Sequence, residues 1–456
     1  MIYTLLMIVL PASAAGFKVK ALVPVDTFSA SVAIADFDHD GKLDLAVACY
    51  DSNATLSVLI GNGDGTFQPQ VRYPVGSGPY GVAAGDLDSD GNTDLVVTNY
   101  NDGTVSVLLG TGDGRFQPQM VFSGSSEATV VALGDYNGDG NLDLATSGQG
   151  AAILLGNGDG TFQTAMFPTS RYANSVVTGD FNRDGTLDVA FGFTYGSSGK
   201  GYIQTLLGNG DGSFTPGMVS SLGSHSTPYS IASGDLNHDG KLDLAATTFS
   251  VGVEVLIGRG DGSFFSEVPY TTPYTTYSLA MVDLDRDGNL DLAVADFLDP
   301  AHANVLIGKG DGTFLPAVTY DAKGKNGEGI GVGDFNRDGS PYIVVTHLSS
   351  ENVSILLNTG GTLVHSRSSL NPSQVGQSVT FTAQVEQSIP NTGVPTGTVT
   401  FKDGATTLGA APLVSGTAKF STSALGQGTH TIVVSYSGDA NFNPNSAKGL
   451  VQVVSP

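Results

Sequence analysis

The run Asp36-Phe-Asp-His-Asp-Gly-Lys-Leu-Asp44 recurs seven times along the chain with small changes, and no other feature constrains the fold as much. Copies start at Asp36, Asp86, Asp135, Asp180, Asp235, Asp283 and Asp334, at steps of 45 to 55 residues. A steady period of that size marks an architecture built by repeating one supersecondary unit. Between the copies a second element repeats, as in VLIGNGDGTF (58–67), VLLGTGDGRF (107–116) and VLIGKGDGTF (305–314). Apolar runs on both sides of a Gly-Asp-Gly turn spell a hairpin. One repeat therefore reads as four short strands, predicted in the second copy over 81–85, 95–100, 105–109 and 116–122. Helical periodicity is missing throughout. Four-stranded units repeated seven times predict an all-β protein, a seven-bladed β-propeller.

The chain start supplies a closing strand. Residues 16–25 align with 66–75 at the same offset of 50 that separates the first two loops. They read as an outer fourth strand without a third strand before it, so 17–25 is expected to complete the last blade and remove an open edge. The rival is a strand around 362–365.

The recurring loop carries its own chemistry. Aspartates at positions one, three, five and nine converge hard oxygen ligands on one point, which with a backbone carbonyl and a water suits Ca²⁺ rather than Zn²⁺. Six copies hold the full set: Asp36, Asp38, Asp40 and Asp44; Asp86, Asp88, Asp90 and Asp94; Asp135, Asn137, Asp139 and Asp143; Asp180, Asn182, Asp184 and Asp188; Asp235, Asn237, Asp239 and Asp243; Asp283, Asp285, Asp287 and Asp291. The seventh, Asp334, Asn336 and Asp338, has Tyr342 at position nine after Pro341 and is expected to be weak or empty. Position twelve, where an EF-hand places a bidentate Glu, is Val47 or Val97, and strand-like sequence follows. The loop is thus the tip of a β-hairpin. A turn would account for one such cluster; six in one register predict about six calcium sites. The seven loops hold 23 of the 43 acidic residues, against 19 basic ones, so they account for most of the net charge of −24. A chain this acidic, without basic stripes, is not expected to bind nucleic acid or an anionic membrane.

These residues resemble the FG-GAP/VCBS-type repeats of integrin-α-like propellers over about 17–365. The resemblance implies that fold, and it implies adhesion, ligand binding or, in some members, polysaccharide cleavage. From about Ser366 the composition turns to Thr, Ser and Val, with period-two stretches giving about seven strands in ninety residues, as in an Ig-like sandwich. PTGTVTFKDG (395–404) and YSGDANFNP (436–444) resemble the bacterial Ig-like repeats of secreted and surface proteins. Residues 1–14 join an apolar stretch to Ala12-Ser-Ala14, a small-x-small cleavage pattern, although no basic residue precedes it. The expected organisation is a leader (1–14), a propeller (15–365) and an Ig-like domain (366–456), with no membrane span, as a secreted or cell-surface monomer.

In a propeller both regular turns lie on one face, so irregular loops (192–201, 220–229, 270–277, 295–303 and 321–329) collect on the other, the usual place for binding. Tyr80, Tyr229 and Tyr277 each stand six residues before a loop's first Asp, at the predicted channel mouth, where they can stack on a ligand or pack between blades. Tyr50, Tyr100, Phe249 and Phe297 stand six after the ninth position. The chain has no Trp. Arg259-Gly260-Asp261 is the repeat's own turn, His39 and His238 are expected to be solvated, and Cys49 reads as a buried inert thiol. The expected function is calcium-stabilised binding or adhesion toward an extracellular glycan or protein. The alternatives are a polysaccharide lyase, with Lys200, His225, His302, Lys323 and Lys325 as candidate bases on the binding face, and a purely structural surface protein.

Overall fold

The computed structural model describes residues 16–195, 199–223, 226–249, 252–359, 362–387, 394–439, 442, 445–447 and 449–456. The expected leader and His225 lie outside these residues. Two compact units divide the chain, one over Val19–Leu356 and the other containing Leu357–Pro456. Among the described residues there is no helix, hence none long and apolar enough to cross a membrane.

In the larger unit the second repeat pairs Pro79–Gly85, Asp94–Asn99, Thr104–Leu108 and Met120–Ser123, in that order, as one antiparallel sheet. These bounds are shifted by a few residues from the sequence expectation, most at the outer strand. The second strand is buried at all six positions, because adjacent sheets cover both of its faces; Leu95, Val96 and Val97 therefore stand in a row, without polar residues alternating between them. Ala46 and Val58 of the preceding sheet share one core with Val82, Leu95 and Val97. Burying a side chain such as Leu95 contributes roughly 1.5–3 kcal/mol. Outer strands such as Val71–Pro74 are largely exposed.

Each repeat contributes a sheet of this kind. Their first strands (Ser29–Ala35, Pro79–Gly85, Val131–Gly134, Tyr172–Gly179, Pro228–Gly234, Thr276–Val282 and Gly327–Gly333) each pack on the next, and the last packs on the first. The final sheet contains Gly327–Gly333, Tyr342–His347, Asn352–Asn358 and, on its outer edge, Phe17–Pro24. The N-terminal strand thus takes the closing position; Thr362–Ser368 pairs instead with Val379–Gln387, running across the 365/366 boundary.

Two sheets depart from the pattern. The third has three strands, and a single bridge between Ile153 and Met166 stands where its fourth would be. The fourth has five, gaining Gly148–Gln149 beside Tyr172–Gly179. The irregular loop expected over 192–201 is largely a long hairpin, Asp188–Tyr195 with Lys200–Gly208.

The C-terminal unit is a sandwich of two sheets, Thr362–Ser368, Val379–Gln387 and Thr417–Thr422 facing one built around Thr398–Asp403, Gly428–Tyr436 and Leu450–Ser455. Phe381, Val399, Phe401, Ile432 and Val434 fill its core. No cysteine pair staples it.

Candidate functional site

The seven aspartate loops share one geometry. The backbone N–H of the sixth residue donates to Oδ2 of the first Asp in every copy, at 2.7 to 3.1 Å, as from Gly41 to Asp36 and from Gly339 to Asp334. That bond needs a left-handed sixth residue, and Gly91 has φ of 86°. Carboxylate oxygens of Asp36, Asp38 and Asp40 lie within 4.8 Å of one another, as do those of Asp86, Asp88 and Asp90, and of Asp283, Asp285 and Asp291. Oδ1 of Asp36 and of Asp86 is buried and accepts no hydrogen bond. Converging oxygens with orphaned lone pairs fit a hard divalent cation of calcium type.

The ninth position has a further task. Asp94 is fully buried, and its two oxygens accept the N–H of Leu87 in its own loop (2.8 Å) and of Gly110 in the following turn (2.7 Å). Asp44, Asp143, Asp188, Asp243 and Asp291 repeat this pair of bonds. Burial raises the carboxyls of Asp44 and Asp94 to about 6 and of Asp291 to about 7, against the downward pull of those N–H groups. The second lone pair of each oxygen is what remains for a cation. In the seventh loop the buried Tyr342 ring stands in this place, edge-on to Phe335.

The Gly-Asp-Gly turn links neighbouring sheets. Its last Gly donates to the carbonyl of the second loop residue in the preceding sheet: Gly114 to Phe37, Gly160 to Leu87, Gly212 to Tyr136, Gly262 to Phe181 and Gly312 to Leu236. Gly65 donates to Phe335, joining first and last. His39 and His238 are exposed, as expected of solvated side chains. They also hydrogen-bond Asn92 (3.0 Å) and Asn289 (2.9 Å) in the next loop. Arg259 of the Arg-Gly-Asp turn lies over the Phe265 ring. Cys49 is buried, and burial pushes its thiol up to about 12.

At the other end of the inner strands a cavity of about 420 Å³ lies on the ring axis. The residue six before each loop's first Asp lines it in every repeat: Ala30, Tyr80, Thr129, Asn174, Tyr229, Tyr277 and Glu328. Tyr50, Tyr100 and Tyr172 stand around them. The three tyrosines singled out from sequence are thus brought together. They also pack on their neighbours: Tyr229 stacks on Tyr277 at 4.4 Å, Tyr277 on Phe297 at 4.8 Å, and Tyr80 meets Tyr50 edge-on at 5.8 Å.

Glu328 escaped the sequence reading, although the register that selects the tyrosines also selects it. It is 5% exposed, and the Tyr80 hydroxyl donates to its Oε1. The first sheet lies between these two residues and offers only Ala30, which leaves room for the Tyr80 side chain to reach across. Oε2 is buried without a partner, and burial pushes the carboxyl up to about 7.

The cations weighed as bases stand elsewhere. His302 bonds Asp296 at 3.0 Å and stacks on Tyr274; Lys323 pairs with Asp321 and Lys325 with Asp299. These three gather on neighbouring loops, Lys200 sits beside Tyr202, and none of the four lines the axial cavity.

Repeated four-stranded sheets with aspartate hairpin tips define a propeller-type protein followed by an Ig-like sandwich. The chain belongs to the FG-GAP-like repeat family, which matches residues 36–97, 86–146, 144–191, 193–246 and 235–294, more than half of its length. Residues 366–455 match the bacterial Ig-like domain (group 3). Among solved structures it is similar to BBS1N in complex with ARL6DN, in crystals soaked with lead and with mercury. Both show a TM-score of 0.52 and 11% identity over 75% of this chain and 96% of that one, a likeness of fold alone. No curated protein sequence matches the chain.

Proposed function

We propose that the chain is a secreted, calcium-stabilised binding protein that takes an extracellular glycan or protein ligand in the axial pocket of a seven-bladed propeller. In this reading residues 1–14 are a leader, 15–365 the propeller and 366–456 an Ig-like spacer or adhesive module. Six aspartate loops hold Ca²⁺ and the seventh is weak or empty. Calcium is structural here: it neutralises the crowded hairpin tips and stiffens the ring, while the opposite end of the inner strands meets the ligand.

The observation that carries the proposal is the lining of the pocket. Seven repeats each bring the residue at one shared register position to a single cavity, and that residue ranges from Ala30 through Thr129 and Asn174 to Tyr80, Tyr229, Tyr277 and Glu328. A scaffold that keeps its loops constant and varies this position is arranged for recognition.

The test is retention on immobilised glycans and peptides, in calcium and in chelator, by the wild type and by Tyr229→Ala. A true pocket ligand should lose about tenfold or more in affinity in the variant, with the melting temperature little changed. Retention that ignores Tyr229→Ala and Tyr80→Phe alike would place binding elsewhere and defeat the reading.

A further inference from the structure

Glu328 is the only residue among the described lining of the axial pocket that carries a formal charge. We infer that this pocket seats an alkylammonium group, the primary or quaternary amine end of a larger ligand, against the Glu328 carboxylate and the Tyr229 ring. The inference rests on the pocket being the binding site, and it names the chemistry bound there.

A buried carboxylate without a counter-charge is costly, and Glu328 is one. One oxygen is held by the Tyr80 hydroxyl and the other has no partner. Titratable groups on the strands packed against it do not compensate. Tyr277 and Tyr80 are phenols, Asp296 is engaged with His302, and His347 is buried against Ser354. Burial keeps the His347 imidazole at about 4, hence neutral.

The surrounding rings suit a cation. Tyr277 is sandwiched between Tyr229 and Phe297. Among the described ring contacts Tyr229 has a neighbour on one side only, which leaves a π face for an ammonium group. Phenol oxygens of Tyr80, Tyr229 and Tyr277 are further acceptors. An anionic ligand would meet Glu328 together with the field of a chain of net charge −24. A neutral polyol would hydrogen-bond here but leave the carboxylate without a counter-charge. A cavity of about 420 Å³ admits an amine head with a short stem.

The probes are n-butylammonium and choline, with 1-butanol and 3,3-dimethylbutan-1-ol as uncharged isosteres, followed by titration calorimetry on the full chain in calcium. The cations should bind at least about tenfold tighter than their isosteres. The preferred cation tells whether a lysine-like or a choline-like group is the source. Glu328→Gln should remove most of the difference between cation and isostere, leaving only what the Tyr229 ring contributes. Because the carboxyl sits near 7 in the empty pocket, wild-type affinity should fall about tenfold per pH unit on acidification below that value. Equal binding of the isosteres, or an affinity flat between pH 8 and pH 5, overturns the inference. Should Glu328→Gln melt abnormally, the wild-type pH profile decides. If neither cation binds while panel ligands still depend on Tyr229, the binding reading stands and the ammonium inference falls.

Discussion

Asp94 shows how one residue type serves two purposes within nine positions. Asp88 and Asp90 lie toward the solvent with oxygens converging on a point, whereas Asp94 is buried and spends both oxygens on backbone donors. Asp94→Asn would turn an amide N–H₂ against one of those N–H groups. Losing a charged acceptor inside the protein costs about 2–4 kcal/mol, and the loss should appear in calcium and in chelator alike. Asp88→Asn should cost only its share of metal linkage, roughly 0.4–1.4 kcal/mol at millimolar calcium, and nothing once calcium is removed. Paired thermal melts separate the two; equal behaviour in chelator would mean that the brace at position nine contributes no stability. Sequence spacing revealed which aspartates cluster but not this division of labour, because a carboxylate that binds a metal and one that caps backbone look alike in a string. Glu328 was missed for a different reason. Tyrosines at one register position stand out in a string, whereas an acid in the same slot looks like any other of the 43 acidic residues.

At the level of the hairpin, the constant residues are constant because turn and loop nearly touch. A Cβ on Gly110 would stand 2.3 Å from the Thr93 carbonyl oxygen, although its backbone is in an ordinary conformation. Gly91 is the opposite case, with φ of 86° and nothing within 4 Å of its Cβ position. Gly91→Ala should therefore cost about 1–2 kcal/mol, the strain of a left-handed alanine. Gly110→Ala must push the turn off the loop and break its bond to Asp94, and should cost more, about 3–5 kcal/mol. Denaturant melts of the two variants give the order directly, and the reverse order would refute the packing account. Elements whose repeats are closely alike were readable from sequence. The third and fourth sheets were not, since the shortened step between Asp135 and Asp180 gives no signal that Gly148–Gln149 will pair with Tyr172–Gly179 rather than within its own repeat.

Across the whole molecule, the second to sixth sheets are each tied to the one before, by Gly114 to Phe37 and its equivalents, and Gly65 to Phe335 ties the first to the last. The loops in this belt carry most of the acid in the chain, so the ring is held together through the region where its self-repulsion is greatest. Metal removal is therefore expected to act on the ring as a unit. With the affinities of typical extracellular modules, Kd about 10⁻⁴–10⁻³ M, six proposed sites at millimolar calcium would supply roughly 2.5–8 kcal/mol. That is comparable with a domain's net stability of about 5–15 kcal/mol. Chelation should lower the melting temperature by roughly 5–15 °C. Raising the salt concentration in chelator should restore part of the loss, because screening relieves repulsion among exposed carboxylates without replacing coordination. Magnesium should restore less than calcium, since its stricter octahedral demand and reluctance to shed water suit these loops poorly. A melting temperature indifferent to chelator would remove calcium from the account of stability. Full rescue by salt alone would leave charge relief as the whole effect, with no coordination needed.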